Sequence, residues 1–178
     1  RDYRDLHEHI KALDEAGLLI TVDDPVDKDT EMHSLVRWQF VGGLKEEERK
    51  AFLFRNVINA KGRKYDLPIV VGALAANQDI YSVGMGVPVE EIGARWEHAI
   101  ANPIQPVIVD EAPCHEVIIE GADLQGEGRG IDSLPIPVST PGFDAAPTLT
   151  STNVVTRDPD TGVQNMGTYR AALKASDR

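Results

Sequence analysis

Near the start of the chain, apolar residues recur every three or four positions. Tyr3, Leu6, Ile10 and Leu13 make one stripe, which predicts a first helix. Asp2 is the candidate N-cap and Gly17 the candidate stop. Residues 18–22, Leu-Leu-Ile-Thr-Val, then suit a strand closed by Asp23-Asp-Pro25. Asp29 or Thr30 can cap a second helix that runs toward Phe40, with Leu35, Val36 and Trp38 for its buried side. Gly42-Gly43 breaks it, and the charged run 45–50 is a solvated connector or short helix.

Residues 51–54 and 68–74 are apolar runs of strand length. Residues 77–85 predict a short helix. Pro88 opens another, with Val89, Ile92, Trp96 and Ile100 at helical spacing up to Pro103. Two further strands are expected at 106–109 and 116–119. This alternation describes an α/β or α+β domain. Residues 121–142 are rich in glycine and proline and read as a boundary or an extended crossing segment. They divide the chain into domains 1–120 and 121–178. Beyond them, 148–156 is rich in Thr and Val, Asp158-Pro-Asp-Thr-Gly162 is a turn, and the chain returns from Val163 toward Leu173. A β-hairpin is expected there.

The 178 residues carry 18 Lys+Arg against 29 Asp+Glu, a net charge of −11. With 42% hydrophobic and 26% charged residues, the composition is that of a folded domain rather than a disordered one. The acidity argues against nucleic acid or an anionic membrane as a partner. From Ser139 onward four basic residues (Arg157, Arg170, Lys174, Arg178) balance four acidic ones (Asp144, Asp158, Asp160, Asp177). The whole excess of negative charge therefore lies in 1–138, and an anionic ligand meets least repulsion in the final stretch. A single cysteine, Cys114, excludes an internal disulfide and a zinc cluster of several thiolates. No membrane-length apolar run or signal peptide is visible, so a cytoplasmic protein is expected. The chain opens on Arg1 without a Met and ends at Arg178 without a turn or cap signal, so trimming is expected at both ends.

Most polar motifs have a structural reading that outweighs a functional one. His7 and His9 sit two apart on a helix, point to different faces, and are expected to be solvated. His33 and His98 are single helical histidines. Cys114-His115 are neighbours in a predicted strand and point to opposite sides, which separates nucleophile from base. Gly84-Met-Gly86 is too short for a dinucleotide fingerprint, and Gly126-Glu-Gly-Arg-Gly130 leads into Leu-Pro rather than a helix. Asp158 and Asp160 belong to ordinary turn chemistry.

The returning arm of the hairpin, Asn165-Met-Gly-Thr-Tyr-Arg170, is more informative. A regular strand puts Asn165, Gly167 and Tyr169 on one face and Met166, Thr168 and Arg170 on the other. Asn165 offers an amide oxygen to a hard cation. Arg170 offers a planar fork for a carboxylate or phosphate. Gly167 leaves room for a backbone or a flat ligand to approach. On these residues alone a polar edge strand remains the favoured reading.

The turn Asp158-Pro-Asp-Thr-Gly162 followed by Asn165-Met-Gly-Thr-Tyr-Arg170 resembles the hairpin signature of UbiD-type decarboxylases. Gly17-Leu-Leu-Ile, Asp24-Pro-Val, the 106–109 run, Ala112-Pro-Cys-His-Glu-Val and Leu134-Pro-Ile-Pro also fall in the family's order. The resemblance implies an α+β fold, an α/β-type N-terminal domain followed by the start of a split β-barrel flavin-binding domain. It implies reversible decarboxylation of an aromatic or α,β-unsaturated acid with prenylated FMN and Mn²⁺, with K⁺ as a further ion. Asn165 then matches a metal ligand, and Arg170 matches the arginine of a catalytic Glu-Arg-Glu network. Met166, Gly167 and Thr168 match the stretch lining the flavin, and Thr150 matches a cofactor contact on the opposing arm. The run Asp144-Ala-Ala-Pro-Thr-Leu-Thr150 departs from the glycine pair and Tyr-Ile of the family. The family's remaining metal ligands and both catalytic glutamates would fall beyond Arg178. The 178 residues alone are therefore expected to be inactive and to lack bound cofactor. Expected partners are the small acid, a flavin prenyltransferase that supplies cofactor, and further copies of the full-length chain. The competing expectation is a non-catalytic short subunit or scaffold of a multi-subunit carboxylase.

Overall fold

The computed structural model describes residues 3–178. In chain order its helices are α1 (Leu6–Glu15), α2 (Met32–Val41), α3 (Gln78–Met85) and α4 (Ile92–Ala101). Its strands are β1 (Leu19–Val22), β2 (Val26–Asp27), β3 (Ala51–Phe54), β4 (Val57–Ile58), β5 (Lys64–Tyr65), β6 (Ile69–Val71), β7 (Thr148–Arg157) and β8 (Gln164–Ala172). The fold is α+β and divides into two compact units. One holds the chain up to Asp24, Val36–Arg55 and Pro68–Ile118; the other holds Pro25–Leu35, Asn56–Leu67 and Ile119–Arg178. Two segments that precede residue 120 thus belong to the unit that carries the hairpin.

In the first unit β3 is central, parallel to β1 and antiparallel to β6. Successive residues Ala51 and Phe52 point to opposite faces and both are buried, as is Phe54, so this central strand is covered on both faces. Leu13 of α1 and Ile80 of α3 meet Ala51, Ala73 and Ala76 in one apolar cluster. Asp5, not Asp2, caps α1, its carboxylate accepting the Glu8 N–H at 3.0 Å. Asp2 lies outside the described residues. The chain leaves α1 through Gly17 at φ +70°, a left-handed turn that suits glycine.

The buried face of α1 is rotated from the expected stripe. His9, Ala12 and Leu13 are buried while Leu6 is exposed. His9 is thus a core histidine rather than a solvated one, its Nε2 lying 2.7 Å from the Ala73 carbonyl oxygen. His7 is exposed as expected. On α2, Met32, Val36 and Gln39 are buried, whereas Leu35 and Trp38 are exposed. Residues 106–109 and 116–119 form no strand, and Val107, Ile108, Val117 and Ile118 are exposed. Their composition suits a sheet, but strand propensity expresses packing against neighbours, and no described strand pairs with them. Between them Pro113–His115 makes a 3₁₀ turn, so Cys114 and His115 are exposed turn residues. Among the described residues no helix is long and apolar enough to cross a membrane.

In the second unit β4 lies between β2, which is parallel to it, and β5, which is antiparallel. These two-residue strands are too short for periodicity to reveal them. Lys28, immediately after β2, is 4% exposed. Its Nζ donates to Asp29 Oδ1 at 2.7 Å and to the Ile136 carbonyl at 2.8 Å, beside the Tyr65 ring. Asp29 Oδ1 also accepts the Val138 N–H at 3.2 Å. The pair therefore ties the β2 segment to the Leu-Pro-Ile-Pro stretch. The Lys28→Ala variant is expected to lose about 3 kcal/mol of unfolding free energy in urea, the low end for breaking a buried pair, because Asp29 keeps some contact with water. A loss under about 0.5 kcal/mol, the range of an ordinary surface change, would contradict this assignment.

Candidate functional site

β7 and β8 form an antiparallel hairpin whose register runs from Arg157↔Gln164 at the tip to Thr148↔Ala172 at the base. The Thr- and Val-rich arm is a strand former, and the turn is held by Asp158. Its Oδ1 accepts the N–H groups of Asp160 at 2.9 Å and Thr161 at 2.7 Å. Those donors, Thr161 foremost, hold the Asp158 carboxyl below the usual carboxylate range. Gly162 closes the turn at φ +72°. Asp158 is thus occupied by the turn, as its turn chemistry predicts. The base is fixed by Thr148 N–H to the Pro137 carbonyl and Leu173 N–H to the Pro147 carbonyl, both at 2.9 Å.

Pairing is regular from Gln164 to Tyr169, which places Asn165 and Arg170 on opposite faces. Five residues of strand separate them by about 17 Å. Asn165 lies near the tip, opposite Thr156. Thr168 Oγ1 donates to Asn153 Oδ1 across the ladder at 3.3 Å. Tyr169 folds back over Gly167, so a Cβ at residue 167 would come within 2.5 Å of the ring. The close approach expected at Gly167 is therefore made by the strand's own tyrosine. Met166 is exposed on the other face.

The pairing Leu149↔Ala171 is followed by Thr152↔Tyr169, so Thr150 and Ser151 together oppose Arg170. This is a β-bulge, and bulges bend a strand and re-aim its side chains. It brings the predicted residues Thr150 and Arg170 opposite one another. No glycine marks it in the sequence. Thr152 Oγ1 is buried with no hydrogen-bond partner among the described residues.

Arg170 is gripped from outside the hairpin. Its Nη2 donates to both carboxylate oxygens of Asp144, at 2.9 and 2.8 Å. Asp144 Oδ2 also accepts the Thr140 N–H at 2.8 Å, while Asp144 N–H donates to the Thr140 carbonyl at 2.9 Å. The Arg170 side chain is 56% exposed and that of Asp144 only 15%. Burial lowers the pKa of His33, on α2, and the Asp144 carboxylate opposes that shift. Neither Asp144 nor His33 is marked by a motif.

The other motifs resolve without a ligand. Gly128 N–H donates to Asp132 Oδ2 at 2.6 Å, and Arg63 pairs with the same carboxylate, so the glycine loop turns inward to its own chain. A cleft of about 470 Å³ in this unit is lined by Asp29, Lys61, Arg63, Glu127 and Asp132 among others, and by no predicted site residue. Among the described residues no three His, Cys, Asp or Glu side chains gather at metal-binding spacing.

Two family models match the chain. Residues 10–100 match the 3-octaprenyl-4-hydroxybenzoate carboxy-lyase N-terminal domain, UbiD_N. Residues 106–178 match the Rift-related domain of the same carboxy-lyase, UbiD. The chain belongs to the UbiD family. Among solved structures, the UbiD-class enzyme HmfF from Pelotomaculum thermopropionicum in complex with FMN is 32% identical, with a TM-score of 0.76 over 97% of this chain and 35% of its own. An evolved dimeric form of HmfF in complex with prFMN is 31% identical, with a TM-score of 0.78 over 98% of this chain and 37% of its own. The apo 3,4-dihydroxybenzoic acid decarboxylase from Enterobacter cloacae is 28% identical, with a TM-score of 0.78 over 98% of this chain and 35% of its own. The chain thus spans little more than a third of the length of these UbiD-class structures.

Burial holds the folded-state pKa of His33 below the ordinary histidine value of 6.5. The unfolded chain therefore takes up this proton first as pH falls. The stability contributed by neutral His33 is complete above 6.5 and is lost as pH falls through that value toward the folded pKa. Between about pH 7 and pH 5, His33→Gln is expected to show a smaller fall in Tm than the parent. Equal falls would assign the acid sensitivity elsewhere.

Proposed function

We propose that the chain is the N-terminal part of a UbiD-type carboxy-lyase. Its full-length form reversibly decarboxylates an aromatic or α,β-unsaturated carboxylic acid, using prenylated FMN and Mn²⁺, with K⁺ as a further ion. The observation that carries this reading is the layout of β8: an amide oxygen near the tip, a guanidinium opposite a bulge near the base, and Met166, Gly167 and Thr168 between them. The donor chemistry fits the cofactor. Asn165 Oδ1 is an oxygen ligand of the kind Mn²⁺ accepts, and supplies one member of its ligand set. The balanced charge of residues 139–178 suits an anionic cofactor better than the acidic remainder does.

Within this reading Asn165 would be one of the residues that hold the metal. Thr150, Met166, Gly167 and Thr168 line the flavin. Arg170 receives the substrate carboxylate on its planar fork and fixes its orientation. When bound, the modified flavin supplies an electron sink for the pair left behind as CO₂ departs. The chain's own contribution is positioning and electrostatics. A flavin prenyltransferase supplies the cofactor, and the full-length protein self-associates in the cytoplasm. With one metal-ligand type in its hairpin, the 178-residue chain alone does not turn over.

The test uses full-length protein co-produced with a flavin prenyltransferase. Asn165→Ala is expected to lose both Mn²⁺, by metal analysis, and the flavin absorbance. Arg170→Lys is expected to keep the flavin while kcat/KM falls roughly 10²-fold, since a point charge replaces the fork. Retention of metal and flavin by Asn165→Ala would remove Asn165 from the site. Substrate-dependent CO₂ release by the 178-residue chain supplied with both would overturn its assignment as inactive.

A further inference from the structure

A carboxylate binds a guanidinium in parallel along one of two edges, Nη1 with Nη2 or Nε with Nη2. Nη2 is common to both. In Arg170 that nitrogen is taken: it donates to Asp144 Oδ1 at 2.9 Å and to Oδ2 at 2.8 Å. Neither edge is complete without it, so an incoming carboxylate and Asp144 compete for one nitrogen. The two partners differ in freedom. The Asp144 side chain is mostly buried, and its turn is tied by reciprocal hydrogen bonds with the Thr140 backbone. The Arg170 side chain is more than half exposed, on a strand whose residues are largely open to solvent. The guanidinium is thus the part free to swing, and the carboxylate is the fixed post. When the guanidinium leaves, Asp144 keeps the Thr140 N–H and is not stripped of every partner.

We propose that Asp144 is a built-in competitor for Arg170: it holds Nη2 in the unliganded protein, and the carboxylate of an aromatic acid binds by displacing it. The inference rests on the reading of Arg170 as the carboxylate ligand. One consequence is selectivity. A charge-assisted hydrogen bond is about twice as strong as a neutral one, so an ionised carboxylate can replace Asp144 and an uncharged amide cannot. The other is a limit on affinity, which is reduced by the fraction of the protein in which Arg170 is still held. An Asp144 that instead held Arg170 ready for its ligand would have the opposite signature, since removing its charge would weaken binding.

The experiment measures binding of benzoate and of the neutral isostere benzamide to the full-length flavoprotein by calorimetry, and locates Arg170 in crystals without and with benzoate. Nη2 is expected on Asp144 in the unliganded form, and on benzoate and off Asp144 in the complex. Asp144→Asn keeps an acceptor for the Thr140 N–H and weakens the resident contact to a neutral one. Benzoate is expected to bind roughly tenfold more tightly to this variant, with benzamide changed less than about twofold. Salt screens repulsion between separated, exposed charges far more than contact between partly buried ones, so this gain is expected to persist in high salt. Unchanged or weaker benzoate binding, an equal gain for both ligands, or a gain that vanishes in high salt would overturn the competitor role. So would Nη2 off Asp144 in the unliganded crystal or still on it in the complex, and these crystals decide alone if the variant does not fold. Unchanged benzoate binding in Arg170→Ala, or none in either the parent or Asp144→Asn, would instead overturn the reading of Arg170, and the proposal with it.

Discussion

Lys28 is buried with its ammonium between the Asp29 carboxylate and the Ile136 carbonyl. An ammonium out of water is costly unless charge and hydrogen bonds compensate it, and both are present here. The consequence reaches the hairpin in two steps. Holding Ile136 and Val138 fixes Pro137 between them, and the Pro137 carbonyl receives the first N–H of β7. The hairpin whose second strand carries Asn165 and Arg170 therefore stands on a stretch whose position is set by a residue more than a hundred positions earlier. This is also why two early segments belong to the same unit as the hairpin.

A second consequence concerns Arg170. A strand alone gives it a face but no fixed direction. The bulge opposite it and the Asp144 carboxylate beside it supply the direction. Both come from outside β8: the bulge from an extra residue in β7, the carboxylate from the turn that leads into the hairpin. Among the described residues the Asn165 side chain makes no hydrogen bond near the hairpin tip.

Much of this was legible in the sequence. The hairpin could be read because Asp158, Gly162 and alternating Thr and Val residues speak through local backbone preferences. The first helix, its glycine exit, β1, β3 and the helix beginning after Asn77 were likewise local signals. Less legible were features that depend on what a residue meets. His9 looked solvated because its polarity was visible while its neighbour, the Ala73 carbonyl, was not. Leu35 and Trp38 were assigned to the buried side of α2 because periodicity gives a stripe but not its bearing. The 106–109 and 116–119 runs have strand composition but no described partner, and hydrogen-bonded pairing is what makes a strand.

The sequence by itself therefore determined the class of the fold, the hairpin, the two faces of β8 and the chemical groups that lie on them. These follow from steric preferences of the backbone and from a period of two, which need only near neighbours. Tertiary structure alone decided that Lys28 would be buried, that Thr150 would face Arg170 across a bulge, and that Asp144 would take hold of the guanidinium. Each joins residues 20 to more than 100 positions apart. Such contacts form only when several segments have already been brought together, and nothing in the local spacing of any one segment encodes them.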